Sequence, residues 1–156
     1  MSRSKKIKTK EIKPDIIYND VVVSKFINYI MKRGKKTVAS RIVYDTFDII
    51  KQTTKKDPLE IFKLAIKNTS PLLEVKAKRV GGATYQVPRE VTGKRMLALS
   101  LRWIIQAAHS KKGKAMKEVL SKEIIDASNN TGWAVKKRLD THRMAEANKA
   151  FSHFSW

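Results

Sequence analysis

The stretch Lys76–Val87, KAKRVGGATYQV, most constrains how this chain folds. Its two adjacent glycines suit a two-residue turn, because tight hairpin turns need a positive φ that glycine adopts without strain. Pairing Val80 with Ala83 sets the register. One face then holds Lys78 opposite Tyr85, Lys76 opposite Val87 and Glu74 opposite Arg89. The other holds Arg79 opposite Thr84, Ala77 opposite Gln86 and Val75 opposite Pro88. Neither face is cleanly apolar. An isolated two-stranded ribbon is marginal in water, and this one carries Lys76, Lys78 and Arg79 with little to bury. The expectation is a hairpin over about residues 73–91 that projects from the body and meets a polyanion. That points to binding rather than catalysis.

Charge supports the same direction. The 156 residues hold 34 Lys and Arg against 14 Asp and Glu, a net +20. Self-repulsion of that size opposes compaction unless a partner neutralises it, and nucleic acid is the default partner of so basic a chain. The charge is also uneven. Residues 1–13 carry +5, residues 76–117 carry +10 and residues 132–149 carry +3, which leaves little for the rest. An ordinary solvated surface mixes signs throughout, so these blocks predict one coherent binding face. No cysteine is present, which excludes disulfides and thiolate metal sites. No apolar run of about 18 residues spans a bilayer. The basic N-terminus lacks the apolar core of a secretory signal, and no transit peptide is visible.

Periodicity gives mostly helices. Residues 1–13 hold almost nothing to bury and read as a basic arm, disordered in isolation. Residues 14–156 read as one domain. Asp20 caps a first helix over 21–32, stopped by Gly34. A second covers 36–52, with Ala39, Val43, Phe47 and Ile50 on its stripe. Asp57-Pro58-Leu59-Glu60 opens a third, which ends before Pro71. After the hairpin come a strongly apolar fourth helix, 94–110, expected at the centre, and a fifth over 115–128 whose stripe includes Glu123. A sixth, 133–151, is polar nearly all round and so needs an external partner. The fold class is therefore mainly α: a bundle of about six helices with an inserted, protruding β-hairpin and a basic N-terminal arm.

At this point the chain resembles a known family. Val75–Pro88 is similar to the hairpin signature of the bacterial-type seventh small-subunit ribosomal protein family. So are Ala134–Arg138 with Asp140 and His142–Phe151, Pro14-Asp15 with Tyr18-Asn19, Lys25–Asn28, Gly34–Lys36 and Ile42–Tyr44, and Ala98-Leu99 with Arg102–Ile104. The matches are collinear from about residue 14 to the end. The sequence departs from the family pattern at Ser4–Lys10, which replaces an Arg-rich start, and at Arg33, where an acidic residue is usual.

The resemblance implies a structural component of the small ribosomal subunit, with no catalytic residues, metal or cofactor. It would bind the 3′ major domain of small-subunit rRNA early and nucleate assembly of the head. It would lie at the tRNA exit site near the mRNA path, touching exit-site tRNA, mRNA and neighbouring ribosomal proteins, in the cytoplasm or an organelle and away from any membrane. Residues expected on RNA are Lys76, Lys78, Arg79, Arg89, Lys94 and Arg95, with Lys136, Lys137, Arg138 and Arg143 along the last helix. The charge blocks add Arg3, Lys5, Lys6, Lys8 and Lys10 in the arm. Lys35, Lys36, Arg102, Lys111, Lys112 and Lys114 complete the set of cations. Gly81 and Gly82 permit close backbone approach. Tyr85 stacks on an unpaired base or packs on the Lys78 stem.

Other classes of function fit less well. His109, His142 and His153 lack metal-ligand spacing, and no nucleophile motif occurs. Gly81-Gly82 is no phosphate loop, since no helix opens after it. The alternative is a free-standing basic architectural protein on duplex DNA, which would need a recognition helix that the sequence does not offer.

Overall fold

The computed structural model describes residues 11–154. Six helices follow in order: α1 Val21–Ile30, α2 Lys36–Thr54, α3 Pro58–Thr69, α4 Gly93–Ser110, α5 Met116–Ser128 and α6 Gly132–Ala147. Strands β1 Leu73–Val80 and β2 Ala83–Glu90 lie between α3 and α4, and a 3₁₀ turn, Lys149–Phe154, follows α6. The mainly helical bundle with an inserted hairpin is thus the observed architecture.

Local signals act as read. The Asp57 carboxylate accepts from the Leu59 amide at 3.1 Å, with Pro58 in the first turn of α3. Asp20 caps α1 through the Val22 amide at 2.6 Å. α1 stops two residues early, at Ile30, and α2 runs on until Lys55 adopts a left-handed φ of 55°. The core is built on aromatic contacts. Phe62 lies 4.9 Å from Phe26 and 5.4 Å from Phe47, and Tyr18 meets Phe47 edge-on at 5.0 Å. Trp103 joins this core.

Three expectations change. α4 shares the centre with α5, which packs on α2, α3, α4 and α6. The inward face of α5 includes Ser121 and Glu123, so its sequence understates its burial. The last helix is also shorter than its polar pattern suggested: it ends at Ala147, and Asn148 leads into the 3₁₀ turn. Nor does α6 depend on an outside partner for all its packing. Ala134, Val135, Thr141 and Ala145 are buried, and the helix packs on α4 and α5 as well as β1.

Among the described residues, burial begins at Asp15. This buried carboxylate accepts from the amides of Ile17 and Tyr18 at 3.1 and 3.2 Å, and from the Tyr44 hydroxyl at 2.8 Å. Burial and that hydrogen bond push the Tyr44 phenol up to about 12, so it stays a donor across the physiological range.

Candidate nucleic-acid interface

The hairpin pairs in the register set by the glycine turn, from Leu73 with Glu90 to Val80 with Ala83. Gly81 and Gly82 have φ of 56° and 88°, and a Cβ on either would meet nothing within 4 Å. The tip is therefore in open solvent, and both faces of the turn admit a ligand backbone. Lys76, Arg79 and Arg89 are exposed.

One face of the ribbon is less polar than its own sequence suggests, because the end of the chain covers it. Tyr85 sits 5.2 Å from Phe151 and 5.3 Å from Phe154, ring centre to ring centre. Lys78 Nζ donates to the Phe154 carbonyl at 3.0 Å. Val87, on the same face, is buried. Tyr85 and Lys78 thus take part in an internal clasp. Tyr85 packs on two phenylalanines and stands directly opposite Lys78 in the ladder. At the base of the ribbon, the Leu72 amide donates to His142 Nε2 on α6 at 3.0 Å. Burial, and then the charge of Arg138, hold His142 below the ordinary imidazole range. The neutral ring this favours has the lone pair that the bond requires.

Cations extend from this base along α4. Lys94 and Arg95 open the helix, and Arg95 pairs with Glu74 of β1 at 3.2 Å. Arg95, Arg102 and His109 recur every seven residues and are all exposed, so they form one stripe along the outside of α4. Arg102 lies over the Tyr29 ring of α1, 5.5 Å from its centre. Within the 18 residues of α4, the stripe from Arg95 to His109 runs about 21 Å. It ends at the loop holding Lys111, Lys112 and Lys114. The α1–α2 loop, with Lys35, and the start of α2, at Lys36, border the same groove region, since Lys35 and Lys114 line one depression.

α6, which packs on β1, carries Lys136, Lys137, Arg138 and Arg143. Lys136 and Arg143 are exposed, while Lys137 and Arg138 are half-buried. Among the described residues, Arg138 makes a long contact, 3.4 Å, from Nη2 to Asn130, and its buried Nε meets no acceptor. Among the described residues, Lys76, Arg79, Arg89, Lys94, Lys112 and Lys114 pair with no carboxylate, whereas Arg95 and Lys111 do. Much of the positive charge is therefore left for a ligand. Arg3, Lys5, Lys6, Lys8 and Lys10 lie outside the described residues.

Glu123 is a residue whose role the sequence concealed. It reads as one more position on the α5 stripe, yet its fully buried carboxylate makes two connections. Oε2 accepts from Lys111 Nζ at 2.9 Å, and Oε1 accepts from the Ala134 amide in the first turn of α6 at 3.0 Å. Thr131 makes no side-chain cap of its own, so a carboxylate from the neighbouring helix serves there, at the positive end of the helix dipole. One residue thereby fixes the start of α6 and the loop lysine.

A model of the family described as ribosomal protein S7p/S5e matches residues 2–149. A protein of Thermotoga maritima named small ribosomal subunit protein uS7 is 57% identical over 154 residues, covering 99% of each chain. Proteins of the same name from Caldicellulosiruptor bescii and Methylobacterium radiotolerans are 56% and 55% identical, each covering 100% of both chains. With a family match across nearly the whole sequence and full-length relatives above half identity, the chain belongs to the ribosomal protein S7p/S5e family.

Proposed function

We propose that this chain is a structural component of the small ribosomal subunit that binds rRNA through the cationic face joining the hairpin, α4 and α6. Its role is structural rather than catalytic, as its family implies. It acts within the ribosome, with rRNA and neighbouring ribosomal proteins as its partners. The 3′ major domain is the RNA it holds early in assembly. The hairpin tip reaches toward exit-site tRNA and mRNA.

The observation that carries this reading is the continuity of exposed cationic side chains, from Arg79 beside the open Gly81-Gly82 tip through Lys76 and Arg89 to Lys94, Arg95 and Arg102 of α4. Lysines and arginines so arranged displace condensed counterions from phosphates, each contact adding roughly −0.7 to −0.9 to the slope of log K against log salt. An A-form duplex hides its base edges in a deep groove, so recognition rests on shape, phosphates and 2′-hydroxyls.

The test replaces Lys76, Arg79 and Arg89 together by Ala, leaving the clasp residue Lys78 in place. Binding to a transcribed 3′ major domain fragment is titrated at several salt concentrations. The expected result is weaker binding and a slope shallower by about 2 to 3. Unchanged affinity and slope would remove the hairpin from the RNA surface. Equal affinity of the wild-type protein for duplex DNA at one salt concentration would favour the architectural alternative.

A further inference from the structure

A groove of about 380 Å³ lies between the α1–α2 loop and the α4–α5 loop. That is within the range of sites that hold small organic ligands. Its floor is apolar: Ile30, Ala39, Ala108 and Val119 are buried, and Val38 shows 52% of its surface at the edge. Its rim is cationic, with Lys32, Lys35, Lys111 and Lys114, all exposed. No carboxylate lines it. Two left-handed residues, Arg33 and Gly34 at φ of 53° and 74°, turn one loop, and Gly113 at 85° turns the other. These turns bring together at one groove lysines that are some eighty positions apart in sequence. Lys111 is held in place by its bond to the buried Glu123.

From this arrangement we infer that the groove receives a single unstacked nucleotide of the bound RNA, its base against the apolar floor and its phosphates among the rim lysines. The inference rests on the RNA-binding reading above and specifies one subsite within it. The aliphatic floor gives a base face an apolar surface to lie on, as the apolar linings of small-ligand sites do. The rim supplies the point charges that phosphate oxygens require. His109 borders the groove, seven residues beyond Arg102 on the same side of α4. Burial, then the charge of Lys32, favour its neutral form, which can both donate to and accept from a base edge. An acidic peptide would match the rim, but the stripe of Arg95 and Arg102 leads the RNA face directly into the groove.

The experiment fills the groove. Val38→Trp changes a half-exposed side chain outside the core, and circular dichroism and melting check that the variant folds. Wild type and variant are titrated with the transcribed 3′ major domain fragment, and each complex is probed chemically base by base. The expected outcome is about a 10-fold loss of affinity for Val38→Trp with the salt slope unchanged, and one base whose reactivity in the wild-type complex reverts in the variant complex. Removing only that base from the RNA should cost the wild-type protein a similar factor and cost the variant nothing further. Wild-type affinity and probing pattern in Val38→Trp would overturn the nucleotide subsite, as would losses that multiply. Protection of Lys32 and Lys114 from amine labelling only when other subunit proteins are added would also overturn it, in favour of a protein partner. If the wild-type protein itself failed to bind the RNA with a salt-dependent affinity, the broader reading would fall along with the subsite.

Discussion

Glu123 makes the strongest case for single side chains controlling the shape of the surface. Removing a buried carboxylate leaves the Ala134 amide and the Lys111 ammonium without their acceptor, a loss of about 2–4 kcal/mol. Glu123→Ala should therefore lower the melting temperature by roughly 5–15 °C, which calorimetry would read directly. An unchanged melt would mean that water or Thr131 replaces the cap. Gly132 depends on the same carboxylate. At φ of 90°, a Cβ there would stand 3.0 Å from Glu123 Oε1 and 3.2 Å from Asp126 Cβ. Gly132→Ala combines backbone strain with that clash and should cost about 1–3 kcal/mol. His142 brings a pH dependence. Its folded form binds protons less readily than the unfolded chain, whose ordinary value is 6.5. The unfolded state therefore takes up more protons as the pH falls through that value, so stability present above it is lost below it. Protonation at Nε2 also abolishes the acceptor for the Leu72 amide. Hydrogen exchange should show Leu72 protected at pH 7.5 and progressively open towards pH 5, and this dependence should vanish in His142→Ala. A Leu72 amide equally protected at both ends would place the proton elsewhere.

At the level of elements, the hairpin is both a proposed RNA ligand and a piece of packing. Its register was legible because a two-residue glycine turn leaves one way to pair the strands, and helix starts were legible because Asp20 and Asp57 act on their own neighbours. The clasp was not legible. It joins Lys78 to Phe154, 76 positions apart, and no periodicity connects such residues. An aromatic pair three residues apart in the tail, Phe151 and Phe154, facing a ribbon with one uncovered tyrosine, was the available signal. The same blindness made the last helix seem to need an outside partner, since its companions include β1 and α4, both far from it in sequence, beside the preceding α5. Each ring pair is worth about 0.5–1.5 kcal/mol. Phe151→Ala with Phe154→Ala should thus raise hydrogen exchange throughout β1 and β2 while the aromatic core of Phe26, Phe47 and Phe62 keeps its protection. Equal loosening of both would show that the turn supports the whole bundle and not the ribbon alone.

For the molecule as a whole, charge and core are separately organised. Among the described residues, burial begins at Asp15 and the apolar interior involves α1 to α6. Since residues 1–13 offer little apolar content, their deletion should leave a cooperative melt within a few degrees of the full chain. Loss of cooperativity would mean that the arm contributes to the core. The proposed interface was legible as blocks of charge, but its continuity required three dimensions: the heptad of Arg95, Arg102 and His109 emerges only once α4 is seen to run from hairpin to groove. Which cations already have partners, as Arg95 and Lys111 do, also depends on carboxylates distant in sequence. The order of the clasp in the chain has a consequence for biosynthesis. With elongation at about 5–20 residues per second, the 76 positions from Lys78 to Phe154 take about 4–15 s to make. Through that interval every nascent copy carries its ribbon untethered, and only the arrival of the closing aromatics completes the side it presents.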